Sequence, residues 1–155
     1  MNEDFRKHIE TLEPAYQRLC TMLPVSVRSL PANVPEAGVY LFSNEETAWY
    51  VGRSNRMRQR LQEHCRPSAR HNTAPFAFRL AREVIGKTGA TYSQKDSRAA
   101  LEKDPHFQAV FRSQKERIGG IDLRYVQEAD PVRQALLEIY VALASGAKYN
   151  DFDTH

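Results

Sequence analysis

The sequence predicts an α/β fold, specifically an α+β sandwich in which a three-stranded, mostly antiparallel sheet is flanked by helices. Two apolar runs, at 38–42 and 49–52, are separated by a short polar turn at 43–47, which is the pattern of a β-hairpin. A third run at 121–126 alternates apolar and polar residues, as a half-buried strand does. The stretches before, between and after these strands carry apolar residues at helical spacing, so we expect helices there.

Length and composition limit the classes of protein to which the chain can belong. With 155 residues, 41% of them hydrophobic, the chain is long enough for one domain with a real core. It contains no apolar run long enough for a transmembrane helix and no signal-peptide pattern at its start. Cys20 and Cys65 are far apart, which favours two free thiols over a disulfide or a metal site. We therefore expect a cytoplasmic protein.

The positive charge is concentrated in the middle of the chain. Residues 53–118 hold 15 Lys and Arg against six Asp and Glu, although the whole chain has a net charge of only +3. Such asymmetry favours a polyanionic partner. Charge alone leaves an alternative open, in which these residues form ordinary solvated helix faces.

Residues 1–35 are predicted to be a helical extension followed by a connector. Apolar residues at positions 5, 9, 12, 16, 19 and 23 form a stripe along one helical face. Pro14 interrupts the stripe, so we expect a kink or two short helices. The stripe either packs on the core of the domain or forms a dimer surface, which leaves a homodimer as a possible state. Three prolines within 24–37 indicate an extended connector.

A helix is predicted at 55–65, directly after the hairpin. Asn55 is a candidate N-cap, and Met57 and Leu61 are spaced to face the core. Three residues spaced one turn apart share another face of this helix: Arg56, Arg60 and His64.

Residues 66–119 resemble an insertion and are predicted to be helical at about 76–85, at 97–102 with Ser97 as the cap, and at 105–117. Nine basic residues in this segment are candidates for a surface that tracks phosphates: Arg66, Arg70, Arg79, Arg82, Lys87, Lys95, Arg112, Lys115 and Arg117.

The last predicted helix carries a carboxylate within an apolar run. Asp130 and Pro131 are a typical N-cap and first residue, and Gly146 is a typical stop. Glu138 lies among Leu, Ile and Val, where an unpaired charge costs several kcal/mol. The pattern alone allows two interpretations of Glu138, a metal ligand or a boundary residue that reaches water.

Two tripeptides complete the sequence pattern, Gly38-Val39-Tyr40 and Tyr50-Val51-Gly52. Together they resemble the paired signature of the GIY-YIG nuclease superfamily. The resemblance covers about 36–65 and 120–152 and extends to further positions of the family pattern: Arg53, Asn55, Arg60, His64, Glu138 and Asn150. It implies a nuclease domain over 36–155, in which 66–119 departs from the compact members of the family.

The resemblance implies a metal-dependent endonuclease that hydrolyses phosphodiester bonds of DNA, most simply double-stranded DNA. It implies one Mg²⁺ or Mn²⁺ per active site, held by Glu138, with Tyr40 as the general base. Tyr50 would bind the water or the phosphate, Arg60 the scissile phosphate, and His64 would assist Tyr40. Four further residues are implied to bind or orient the substrate: Gly52, Arg53, Arg56 and Asn150.

Other functions remain open from the sequence. A catalytically silent nucleic-acid binding module of the same fold is one alternative, and an RNA-directed nuclease is another. The complete set of candidate site residues favours an enzyme, and restriction, repair and phage defence are all compatible roles. An enzyme acting on small molecules fits the basic middle segment least well.

Overall fold

The computed structural model describes residues 1–86 and 97–153. By internal contacts the chain divides into two units, residues 1–60 with the chain from Ile121 onward, and Leu61–Gly120. Each unit has its own packing and is described separately. Lys87 and Lys95, two of the predicted basic surface residues, lie outside the described residues. Within the described ranges, no helix is both long and apolar enough to cross a bilayer.

A three-stranded antiparallel sheet forms the centre of the first unit. Its order is β2-β1-β3, with β1 at Gly38–Asn44, β2 at Thr47–Ser54 and β3 at Asp122–Gln127. The central strand β1 is almost fully buried, and both of its edges are paired. The predicted fold is thus confirmed.

The hairpin turn is tighter than the sequence indicated. The polar segment predicted as a five-residue turn contributes to both strands, and only Glu45 and Glu46 connect them. Both have positive φ, 50° and 68°. Two consecutive left-handed residues match the right-handed twist of a hairpin, so the twist outweighs the poor preference of glutamate for this conformation.

Three helices pack on this sheet unit: α1 (Glu3–Ile9), α2 (Leu12–Thr21) and α7 (Pro131–Ser145). The predicted interruption near Pro14 is confirmed as a break between two helices. Pro14 itself lies in the first turn of α2, where its missing N–H has no helical partner to lose. Asp130 caps α7 by accepting from the Arg133 N–H at 2.9 Å, as predicted.

The apolar stripe of the N-terminal helices is used mainly by the core of this unit. Leu12 and Leu19 are buried with residues of β1, β2 and α7. Only the ends of the stripe, Phe5 and Leu23, are exposed, at 43% and 84%. The alternative of core packing therefore accounts for its centre, and the homodimer stays a prediction.

Helix α3 (Met57–Cys65) follows β2. Met57 and Leu61 are fully buried, as their spacing predicted. The helix starts two residues later than expected, and Asn55 does not cap it. The Met57 N–H donates to the Glu36 carbonyl instead, at 2.9 Å.

The second unit contains α4 (Pro75–Val84), α5 (Arg98–Lys103) and α6 (Pro105–Gly120). Its core includes an aromatic cluster in which Phe78 lies edge-on to Phe107 and Phe111, with ring centroids 5.0 and 5.6 Å apart. Ser97 caps α5 by accepting from the Ala100 N–H, as predicted.

Two of the nine predicted basic surface residues are buried in the structure. Arg82 and Lys115 are only 6% and 4% exposed, so these two do not form an open phosphate-tracking surface. Five of the remaining seven are exposed: Arg66, Arg70, Arg79, Arg112 and Arg117.

Candidate active site

The two glycines of the paired tripeptides are required by close approaches within the sheet. Tyr40, at the centre of β1, pairs with Gly52 of β2 and is 1% exposed. A Cβ atom on Gly52 would collide with the phenol ring of Tyr40, and one on Gly38 would collide with the Val126 carbonyl of β3. Glycine at position 52 therefore lets the Tyr40 phenol lie across the neighbouring strand.

Arg60 on α3 connects the two tyrosines. Its guanidinium hydrogen-bonds the phenol groups of both Tyr40 and Tyr50. Burial raises the pKa of each phenol above its ordinary value, and Arg60 offsets only part of that effect. Both tyrosines are therefore neutral at neutral pH in the free protein, with Arg60 supplying the nearby positive charge.

Glu138 of α7 belongs to the same electrostatic environment. Its negative charge raises the pKa of both Tyr40 and Tyr50. Its Oε2 accepts from the Nε of Arg53 at 3.0 Å, and its side chain is 29% exposed. Burial raises the pKa of Glu138, and Arg53 offsets part of that rise. The carboxylate is thus paired and also reaches the surface.

Gln134 is a site residue that the sequence analysis missed. It lies one turn before Glu138 on α7 and is 2% exposed. Its Nε2 donates to the Asn55 Oδ1 at 3.0 Å, and its Oε1 lies 3.5 Å from Nη1 of Arg53. A polar residue four positions from the candidate carboxylate was the available signal, because such residues share a helix face.

Asn150 attaches the chain after α7 to strand β2. Its Oδ1 accepts from the Val51 N–H, and its Nδ2 donates to the Val51 carbonyl, both at 2.8 Å. This pair continues a row of contacts along β2, in which the Lys148 and Tyr149 N–H groups donate to the Ala48 and Trp49 carbonyls at 3.2 and 2.8 Å. Because Val51 lies between Tyr50 and Gly52, the contact supports an orienting role for Asn150.

The other two predicted residues on α3 have different environments. His64 is fully buried, and its ring packs edge-on against Phe76 with centroids 6.3 Å apart. Arg56 is exposed, and its backbone N–H donates to the Ser54 Oγ at 2.9 Å. The functional roles of His64 and Arg56 stay predictions.

The donor atoms at this site are compatible with a weakly held divalent cation. Among residues 1–86 and 97–153, no group of three or more His, Cys, Asp or Glu residues could enclose a metal ion. Glu138 supplies one carboxylate, and its Oε1 accepts no hydrogen bond from the described residues. Mg²⁺ commonly keeps several waters and uses one or two carboxylates together with substrate phosphates, so this sparse set fits such an ion.

A tyrosine pair, an arginine and a carboxylate at a small antiparallel sheet define a polar site suited to phosphate chemistry. The family profile of the GIY-YIG catalytic domain matches residues 36–150. The chain therefore belongs to the GIY-YIG family, and a nuclease-type function acting on nucleic acid follows in general terms. Comparison with the curated proteins and with the solved structures gave no match.

Proposed function

We propose that the protein is a metal-dependent endonuclease that hydrolyses phosphodiester bonds of double-stranded DNA. One observation carries the proposal. The guanidinium of Arg60 hydrogen-bonds the phenols of Tyr40 and Tyr50, and the charge of Glu138 acts on both phenols. A candidate base, a phosphate-binding cation and a metal-binding carboxylate are thus electrostatically coupled.

Arg60 binds the scissile phosphate in this proposal. Its planar guanidinium has five N–H donors, so it can hydrogen-bond two phosphate oxygens while remaining near the phenols. Its charge also stabilises the additional negative charge that develops on the phosphate oxygens during attack.

Tyr40 accepts the proton of the attacking water. Its raised pKa makes a phenolate rare in the free protein, so the phenol must first lose its own proton to solvent. The resulting phenolate then accepts the proton of the water as the water attacks. The water oxygen forms a bond to phosphorus, the bond to the 3′-oxygen breaks, and that oxygen leaves with the electron pair. Tyr50, whose phenol stays protonated, donates a hydrogen bond to the water or to the phosphate.

Glu138 would hold a Mg²⁺ or Mn²⁺ ion, which supplies positive charge at the phosphate and at the leaving oxygen. Before a metal ion binds, the ion pair with Arg53 balances the negative charge of the Glu138 carboxylate. Gln134 steadies Arg53 by accepting a long hydrogen bond from its Nη1.

The exposed arginines of the Leu61–Gly120 unit support the proposal that the substrate is DNA. These arginines can contact a phosphodiester backbone without reading its sequence. A duplex offers a regular array of such phosphates, which is why double-stranded DNA is proposed ahead of single strands or RNA.

Cleavage of plasmid DNA by purified protein in Mg²⁺ or Mn²⁺ tests the proposal. We expect Glu138→Gln to reduce cleavage by at least about 10²-fold while DNA binding in EDTA changes little. Glu10→Gln, an equal change at an exposed position of the N-terminal region, is the matched control and should cut like the wild type. Equal cutting by Glu138→Gln and the control would overturn the assignment of the carboxylate.

The same assay separates the alternatives. A silent binding module would bind DNA with steep salt dependence and give no products with any metal ion. The panel should include duplex, nicked, branched and single-stranded DNA and single-stranded RNA. Preferential cleavage of RNA would change the proposed substrate from DNA to RNA, while the proposed roles of the site residues would stay the same.

A further inference from the structure

A cavity of about 450 Å³ lies entirely within the Leu61–Gly120 unit. It is bounded by the loop at 67–70, by α5 and by α6. Four basic side chains line it against one acidic side chain, that of Glu102. The basic ones are Arg70, Lys103, Arg112 and Lys115. It shares no residue with the candidate active site.

Lys115 forms the inner part of this cavity. Its Nζ donates to the carbonyls of Pro67 and Ala69 at 2.6 and 2.9 Å, and it lies 4.3 Å from the centroid of the Phe111 ring. The residue is 4% exposed and has only neutral groups as hydrogen-bond partners. A buried ammonium with no directly bonded carboxylate contributes a positive potential that an anion could complement.

Glu102 and Arg70 keep the loop side of the cavity in shape. The Glu102 carboxylate accepts from the His71 N–H at 2.7 Å and pairs with Arg70 at 3.0 Å. Arg70 uses one Nη in that pair, and its side chain is 75% exposed. Its remaining donors are therefore accessible.

Lys103 and Arg112 are exposed at the cavity wall. Neither forms an ion pair or a side-chain hydrogen bond with any residue in the described part of the chain. Burial lowers the pKa of Lys115, and the charge of Arg112 lowers it further. Two exposed cations beside a buried ammonium, with one carboxylate among them, form a positive surface that a bound anion would complement.

We propose that this cavity binds a phosphate group carried by a nucleotide, held by Lys103, Arg112 and the free donors of Arg70. The volume is within the usual range of small-ligand sites and accommodates a phosphate with its sugar. The group comes either from a strand of nucleic acid or from a free mononucleotide. Binding at this cavity does not require the proposed nuclease chemistry.

The test compares two double variants of the full chain in EDTA, so that no cleavage occurs. Lys103→Ala/Arg112→Ala removes two cations from the cavity. Lys7→Ala/Arg18→Ala also removes one lysine and one arginine, from exposed positions of α1 and α2 that do not line it. The probes are thymidine 5′-monophosphate and a short DNA duplex. Calorimetry measures the affinity for each probe, and the amide chemical shifts of Ala69, Lys103 and Arg112 report binding at the cavity.

We expect the cavity variant to lose about tenfold in affinity for at least one probe, and the control less than about threefold. In the wild type, that probe should change the amide chemical shifts of Ala69, Lys103 and Arg112. Stronger binding of the duplex would identify the source as a strand, and equal or stronger binding of the mononucleotide would identify a free nucleotide. Equal losses in the two variants, or no shift at these amides with either probe, would overturn the proposal. This binding result would stand even if the protein did not cleave DNA in the plasmid assay.

Discussion

The two units of the chain use their buried polar groups in opposite ways. In the sheet unit, Tyr40 and Tyr50 share one arginine, and Glu138 reaches the surface beside them. In the helical unit, Lys115 and Glu102 bind backbone groups of the loop between α3 and α4. The polar groups of the first site retain capacity for a ligand, whereas Lys115 and Glu102 are largely saturated by their own chain, and the exposed cations of the second unit are the ones left for a ligand.

This difference indicates which substitutions affect activity and which affect stability. A group that binds a ligand in the reaction contributes most of its energy only when that ligand is present. A group that binds backbone carbonyls or N–H groups contributes to the free energy of unfolding at all times. Substitutions in the two units should therefore be separable by measuring cleavage and unfolding side by side.

The largest effect is expected for Arg60→Lys. Lysine keeps the charge but loses the planar fork that serves two phenols and a phosphate, so cleavage should fall by about 10²–10³-fold, the usual loss for one transition-state donor. The free energy of unfolding in urea should change by less than about 1 kcal/mol. Arg58→Lys on the same helix is the control, because Arg58 donates to the Pro31 carbonyl outside the site. A variant that cuts normally would remove Arg60 from the mechanism.

The sequence correctly predicted the helices and strands whose short-range sequence patterns agree with their packing in the structure. The hairpin, the Asp130 cap and the third strand all follow from short-range patterns. Gln134 was missed because a polar residue in a helix normally reaches water, whereas its burial depends on hydrogen bonds with Arg53, Asn55 and the Glu128 carbonyl.

The same limit applies to the basic segment of the second unit. A count of lysines and arginines cannot distinguish exposed charges from the two that are buried, Arg82 and Lys115. Burial of Lys115 depends on the Pro67 and Ala69 carbonyls, 48 and 46 residues away, which no local pattern reveals.

A smaller effect is expected for Gly52→Ala, which tests the contact on which the sheet site depends. The new methyl group collides with the Tyr40 ring, so the free energy of unfolding should fall by about 1–3 kcal/mol. In a Tyr40→Leu background the colliding atoms are absent, and the same substitution should cost clearly less. Urea unfolding of the four proteins measures this coupling. An equal cost in both backgrounds would show that the Tyr40 ring is not the obstacle.

The smallest effect, about 1–2 kcal/mol, is expected for Glu102→Gln in the helical unit, and it should depend on pH. Burial raises the pKa of Glu102, but hydrogen bonds from the His71 backbone and side chain and from Arg70 together lower it below its ordinary value of 4.5. A depressed carboxyl pKa stabilises the fold above the ordinary value, and the stabilisation is lost as pH falls through the folded-state value.

Urea unfolding of the wild type and of Glu102→Gln at about pH 7, 5 and 3.5 measures this loss. The difference between the two proteins should shrink as pH falls below the ordinary pKa value of a glutamate. Glu10→Gln should show a difference near zero at every pH. If the Glu102 difference did not vary with pH, the carboxylate would contribute by shape and not by charge, and the contrast between the two units would weaken.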